Sequence, residues 1–226
     1  MPLTKQSAPI LEHHTGRWRP LWRGRVHALA ACVSIPAGTF LVWHASGAMA
    51  TVASAVYVAS LVALYVTSAS YHLFSRSPRA QRTMQQLDHA MIFVLIAGSY
   101  TPVCLLTLPL AYAITMLSIV WTLATLGMAV KLKWHARRVT SALYIFLGWV
   151  GVFIFPTAWS VAGPMAVMAI AAGGILYTVG AILFSTQKPR LVPHVFGFHE
   201  VWHVFTVLAG IAQFFGIGII VANASS

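Results

Sequence analysis

VHALAACVSIPAGTFLVWHASGAMATVASAVYVASLVALYVTSASYHLFS, residues Val26–Ser75, runs for 50 residues without Asp, Glu, Lys or Arg. A hydrocarbon core about 30 Å thick takes about 20 helical residues to cross. The run is therefore long enough for two crossings, and Ser46-Gly47 near its middle supplies a turn. Two more stretches repeat the pattern. Ala90–Val130 has 41 charge-free residues broken at Leu108-Pro109-Leu110, and Val139–Gln187 has 49 broken between Pro156 and Pro164. Val201–Ser226 has 26 and holds one crossing, so the total is seven.

The composition agrees. The chain of 226 residues is 59% hydrophobic and 8% charged, against about 25% charged in soluble domains. All 14 Lys and Arg residues fall in the N-terminal tail and in alternate connections, the loops with Arg76, Arg79 and Arg82, with Lys131, Lys133, Arg137 and Arg138, and with Lys188 and Arg190. Cytoplasmic loops carry the Lys/Arg excess of membrane proteins. The expected fold is all-α, a seven-transmembrane-helix bundle with its N-terminus cytoplasmic and its C-terminus external. Residues 1–25 form a basic interfacial tail and 26–226 the membrane domain. A net charge of +11 can mean nucleic acid, but the apolar content removes that as a first reading. In the tail, Arg17, Arg19, Arg23 and Arg25 interleave with Trp18 and Trp22, which reads as an anchor on an anionic leaflet. Ala48-Met49-Ala50 resembles a signal-peptide cleavage site, but the polar region before it is too long for that pattern. Cys32 and Cys104 lie in apolar runs and read as free thiols. No repeat of fixed period is present; Gly173 and Gly180 read as close helix packing.

Ionisable groups at membrane depth are costly and tend to be functional. The chain has three carboxylates, Glu12, Asp88 and Glu200. Asp88 opens the third span beside His89, and His72 closes the second, one turn after Ser68. His199 and His203 open the seventh, four residues apart, so their side chains are neighbours on one helix face. The topology puts His72, Asp88, His199 and His203 in one layer at the cytoplasmic side. Along the seventh span, His199, His203, Thr206, Gly210 and Gln213 make one polar or small face, which should point into the bundle. Three neutral imidazoles with an open fourth position are the ligand set of a catalytic zinc site. His72, His199 and His203 supply it, and an all-nitrogen set prefers Zn2+, although nickel or iron would accept imidazole. Zinc activates water near neutral pH; Asp88 can then act as general base, and Ser68 can orient a ligand or a substrate carbonyl. The bland reading of a lone histidine, interfacial or a satisfied core residue, applies to His13, His14, His27, His44, His135 and His194, and His89 flanks Asp88.

His199-Glu200-Val201-Trp202-His203 also matches H-E-x-x-H, the metalloprotease helix with Glu as base. An intramembrane protease would need a third ligand, and since no acidic residue follows Glu200 it would have to borrow Asp88 or His72. The plain role for Glu200 is a polar group at the cytoplasmic interface near Lys188 and Arg190.

Taken together, Ser68–His72, Leu87–Phe93, Ala97–Pro102, Gly173–Tyr177 with Gly180, and His199–His203 resemble the hemolysin III family, the bacterial branch of the adiponectin/progestin receptor superfamily. The resemblance spans about residue 26 to the C-terminus. It implies seven membrane helices, an internal N-terminus, and zinc near the cytoplasmic face held by His72, His199 and His203. It also implies that Asp88 contacts the activated water and that Ser68 is the family serine. Related members look like hydrolases of lipid amides such as ceramide; others are described as receptors or as hemolysins. The leading expectation is a zinc-dependent hydrolase of a lipid amide or ester, entered from the cytoplasmic leaflet of a bacterial inner membrane. The alternative is a receptor-like sensor or lytic, channel-forming protein with structural zinc, and the third is an intramembrane metalloprotease. Membrane lipids are the expected partners, and the oligomeric state stays open.

Overall fold

The structure, a computed structural model, describes residues 10–13, 16–134, 137–192 and 194–225. His14 and His135 lie outside the described residues, as do the side chains of Arg17, Arg137 and Arg138. Among the described residues, seven helical segments are long and apolar enough to cross a membrane. They are α1 (Arg25–His44), α2 (Ala48–Phe74), α3 (Pro78–Thr107), α4 (Leu110–Trp134), α5 (Arg137–Trp149) continued by α6 (Phe155–Ala162), α7 (Pro164–Ser185) and α8 (Phe198–Ser225). The chain is an all-α, seven-helix membrane protein.

The breaks between spans follow local chemistry. Ser77 caps α3 by accepting the Ala80 N–H at 3.2 Å, with Pro78 in the first turn, where a missing N–H costs nothing. Leu108-Pro109 ends α3, because the residue before proline is driven to extended backbone. The reversal into α7 is made by Gly163 at φ +83°, a conformation that favours glycine. Pro156, expected at that reversal, instead sits at the head of α6. The 3-10 stretch Val150–Ile154 precedes it, so the fifth span is two helices joined near its middle.

Helix α7 packs along α8, α2 along α1 and α3, and α3 along α4. A Cβ at Gly173 would lie 2.7 Å from Gln213 Cγ and 3.0 Å from the Ala209 carbonyl oxygen, and one at Gly180 would press on Trp202 and Phe205. Both glycines thus set the α7–α8 approach, as their spacing suggests. Tyr57, Phe93, Val120, Ile217 and Ile220 fill the core, whereas Leu29, Phe40, Trp43, Phe153 and Ile211 face outward. An apolar exterior is what a bundle in hydrocarbon requires.

Before α1, β1 (Leu11–Glu12) and β2 (Arg17–Trp18) form a short antiparallel pair. This segment lies across the helix ends. Gln81 Nε2 donates to the Leu11 carbonyl at 2.7 Å, and the Leu21 and Trp22 amides donate to the carbonyls of His194 and Val195 in the α7–α8 connection.

Candidate metal centre

Helix α2 ends with Ser68 and His72 on one face, and α8 begins with His199 and His203 on one face. The bundle brings these faces together. The His72 ring centroid lies 4.9 Å from that of His199 and 5.0 Å from that of His203, and the latter two are 4.7 Å apart. Each ring offers one nitrogen such that the three nitrogens lie within 4.8 Å of one another. His72 and His203 are buried, and His199 is half-buried.

The nitrogens fit a metal for a second reason. Among the described residues, both ring nitrogens of His72 and Nδ1 of His203 are buried without a hydrogen-bond partner. A buried polar group left unsatisfied costs about 1–3 kcal/mol. A cation at the shared focus would use the lone pairs and remove part of that cost. An all-imidazole set suits zinc and other borderline metals.

Asp88 stands on α3, outside the convergent set, and takes a hydrogen bond from the Ser68 hydroxyl one turn before His72. It is half-buried because it faces a cavity of about 1500 Å³. The cavity is also lined by His199 and His203, and it extends past Trp149 and Gln213 to Ile217. The face of α8 carrying His199, His203, Thr206 and Gln213 therefore does point inward. Tyr144 closes the α5 side, donating to the His89 carbonyl at 2.8 Å.

Residues 16–214 match the family model described as haemolysin-III related. The chain belongs to that family. Within the haemolysin-III related proteins, Hemolysin-3 of Bacillus cereus is 37% identical over 194 residues, covering 84% of this chain and 85% of the relative. The Hemolysin-3 homolog of Bacillus subtilis is 30% identical over 194 residues, covering 84% and 88%. The human Monocyte to macrophage differentiation factor is 24% identical over 166 residues, covering 72% and 67%. All the candidate residues of this family member, from Ser68 to His203, fall inside the matched range.

Two placements differ from expectation, and a third residue proves to touch the site. His27, read as interfacial or a satisfied core residue, is a core residue buried against the triad: it stacks on His203 at 3.9 Å between centroids and contacts Thr206 Oγ1 at 2.7 Å. Its signal was weak, a histidine at the head of an apolar run. Glu200 is not an interfacial group near Lys188 and Arg190; it is fully buried, accepts the Gly197 amide at 2.7 Å and pairs with Arg23. Arg19 and Arg23, two of the four arginines expected on a leaflet, face the protein, whereas Arg25 is exposed. Burial pulls the Arg19 guanidinium below its ordinary pKa, opposed by neighbouring Tyr71 and Glu12.

Proposed function

We propose that His72, His199 and His203 hold a zinc ion, and that the protein hydrolyses a lipid amide or ester entered from the cytoplasmic leaflet. The observation that carries the reading is the meeting of three imidazoles, those of His72 and His203 with buried unpartnered nitrogens, beside a large, mostly apolar cavity that His199 and His203 line. Bound zinc would polarise a carbonyl and activate water in such a site. Asp88, its carboxylate held by the Ser68 hydroxyl, takes a proton at a carboxylate oxygen and returns it to the leaving group. The apolar cavity wall around Ile170 and Ile217 receives a hydrocarbon chain and keeps bulk water from the reacting end. Glu200 has both oxygens engaged, by Arg23 and by the Gly197 amide, which favours Asp88 over Glu200 as base. The cytoplasmic assignment rests on the 14 basic residues gathered in the N-terminal tail and on alternate connections.

The test is release of fatty acid from detergent-solubilised protein given N-acyl and O-acyl lipids, with Asp88→Asn as the control. Zinc-dependent release that Asp88→Asn abolishes supports the reading. No release from any acyl lipid by zinc-loaded protein sinks it. The name of the Bacillus cereus relative, hemolysin, favours one second reading, in which the same zinc site is structural and the protein is lytic. Dye leakage from vesicles that persists in Asp88→Asn would favour it.

A further inference from the structure

The N-terminal segment touches both halves of the triad. Arg19 Nη1 donates to the carbonyls of Tyr71 at 3.0 Å and of His72 at 2.6 Å, with its guanidinium 5.1 Å above the Tyr71 ring. Arg23 donates through Nε to Glu200, the residue between His199 and Val201 in the first turn of α8, and through Nη1 to Glu12 Oε1 at 2.8 Å. The same Glu12 oxygen lies 3.7 Å from Arg19 Nε. One continuous network thus runs from the backbone of His72, through Arg19, Glu12 and Arg23, to Glu200.

We propose that Arg19 and Arg23 are positioning residues. They form a clamp that fixes the distance between the last turn of α2 and the first turn of α8, and so the span between His72 and the His199–His203 pair. The proposal rests on the metal reading. Three observations carry it. First, α2 packs mainly along α1 and α3, and α8 mainly along α7, so few direct contacts between α2 and α8 set their separation at this end. Second, two of the chain's three carboxylates are committed to the network. Buried ion pairs are weak devices for stability, and their best-attested use is to fix register. Third, the segment is tied down on both sides. The Leu21 and Trp22 amides hold the connection that leads into α8, and Gln81 at the head of α3 holds the Leu11 carbonyl. The forked guanidinium of Arg23 reaches two carboxylates at once, which a lysine ammonium does less well. A leaflet anchor would instead turn these side chains outward.

The experiment uses the full chain in detergent. Arg23→Ala strands a buried Glu200 and can fail to fold, so the working variant is Arg23→Gln/Glu200→Gln, neutral on both sides and still able to hydrogen-bond. Arg23→Lys and Arg25→Gln, at an exposed position, are the comparisons. Zinc affinity is read by chelator competition, and site geometry by the visible spectrum of the cobalt-substituted protein. The α2–α8 separation is read by spin labels at Phe74→Cys and Leu208→Cys in a Cys32→Ser background, without metal. The expected result for the folded double variant is a zinc affinity lower by about 10–100-fold, an altered cobalt spectrum and a broadened label distance. Arg23→Lys should fall between it and the parent, and Arg25→Gln should match the parent. A folded double variant with unchanged zinc affinity, cobalt spectrum and label distance overturns the clamp. If the parent binds no zinc, the metal reading fails, and the label distance alone decides whether the clamp sets helix separation.

Discussion

His27 lies flat against His203: their ring centroids are 3.9 Å apart and their planes are 11° from parallel. The contact is anchored on one turn of α8. The Thr206 hydroxyl lies 2.8 Å from the His203 carbonyl oxygen and donates its one hydrogen there, which assigns the 2.7 Å contact with His27 as a bond from His27 Nε2–H to Thr206 Oγ1. The stack then limits how far the His203 ring can turn.

His27→Ala should therefore weaken zinc binding without removing a ligand, by about 10-fold, the lower end for groups that orient ligands. His27→Phe, which keeps a flat ring, should recover part of the loss. Chelator competition on the purified variants is the check. An affinity in His27→Ala equal to the parent would make the stack mere packing.

Thr206→Val takes away the acceptor for His27 Nε2–H at a fully enclosed position. Leaving that donor unsatisfied should cost about 1–3 kcal/mol of stability. Unfolding in detergent reads the change, and a stability unchanged from the parent would argue against the assigned tautomer.

Asp88→Asn and Glu200→Gln should separate cleanly. Asp88→Asn keeps shape and zinc but cannot take a proton, so hydrolysis should disappear with the melting temperature near that of the parent. Glu200→Gln breaks the buried ion pair with Arg23, which keeps its pairing with Glu12, so the cost should stay below the about 3–5 kcal/mol of a stranded buried charge. It should lower stability and weaken zinc binding through the lost clamp, while the folded, zinc-loaded fraction still hydrolyses. The reverse pattern, an inactive but stable Glu200→Gln beside an active Asp88→Asn, would favour the H-E-x-x-H chemistry.

Gly210 faces the Tyr65 hydroxyl so closely that no Cβ fits between them. Gly210→Ala should destabilise by about 1–3 kcal/mol through overpacking. Adding Tyr65→Phe removes the opposing oxygen and should restore part of the loss, a coupling that a double-mutant cycle measures. Additive losses would mean the two residues do not meet.

The seven spans were legible because charge-free runs of 41 to 50 residues admit two crossings each and glycine or proline marks their breaks. The triad was legible because the i, i+4 spacing fixes His199 and His203 on one face, and span order brings the end of α2 to the start of α8. The 3-10 joint at Val150–Ile154 was not legible, since its residues are as apolar as those around it and Pro156 suits a helix start. The Arg23–Glu200 pair was hidden for another reason: its members are 177 residues apart, and an arginine beside tryptophans in a tail has an equally good local explanation at a lipid headgroup.

The most direct measurement is the metal content of the full chain, purified in detergent without added metal or chelator, together with that of His72→Ala. The account predicts about one zinc per chain in the parent, as for a three-histidine site, and loss of most of it in His72→Ala, which removes the ligand contributed by α2. A parent without metal, or a folded His72→Ala that keeps its full complement of zinc, would contradict it.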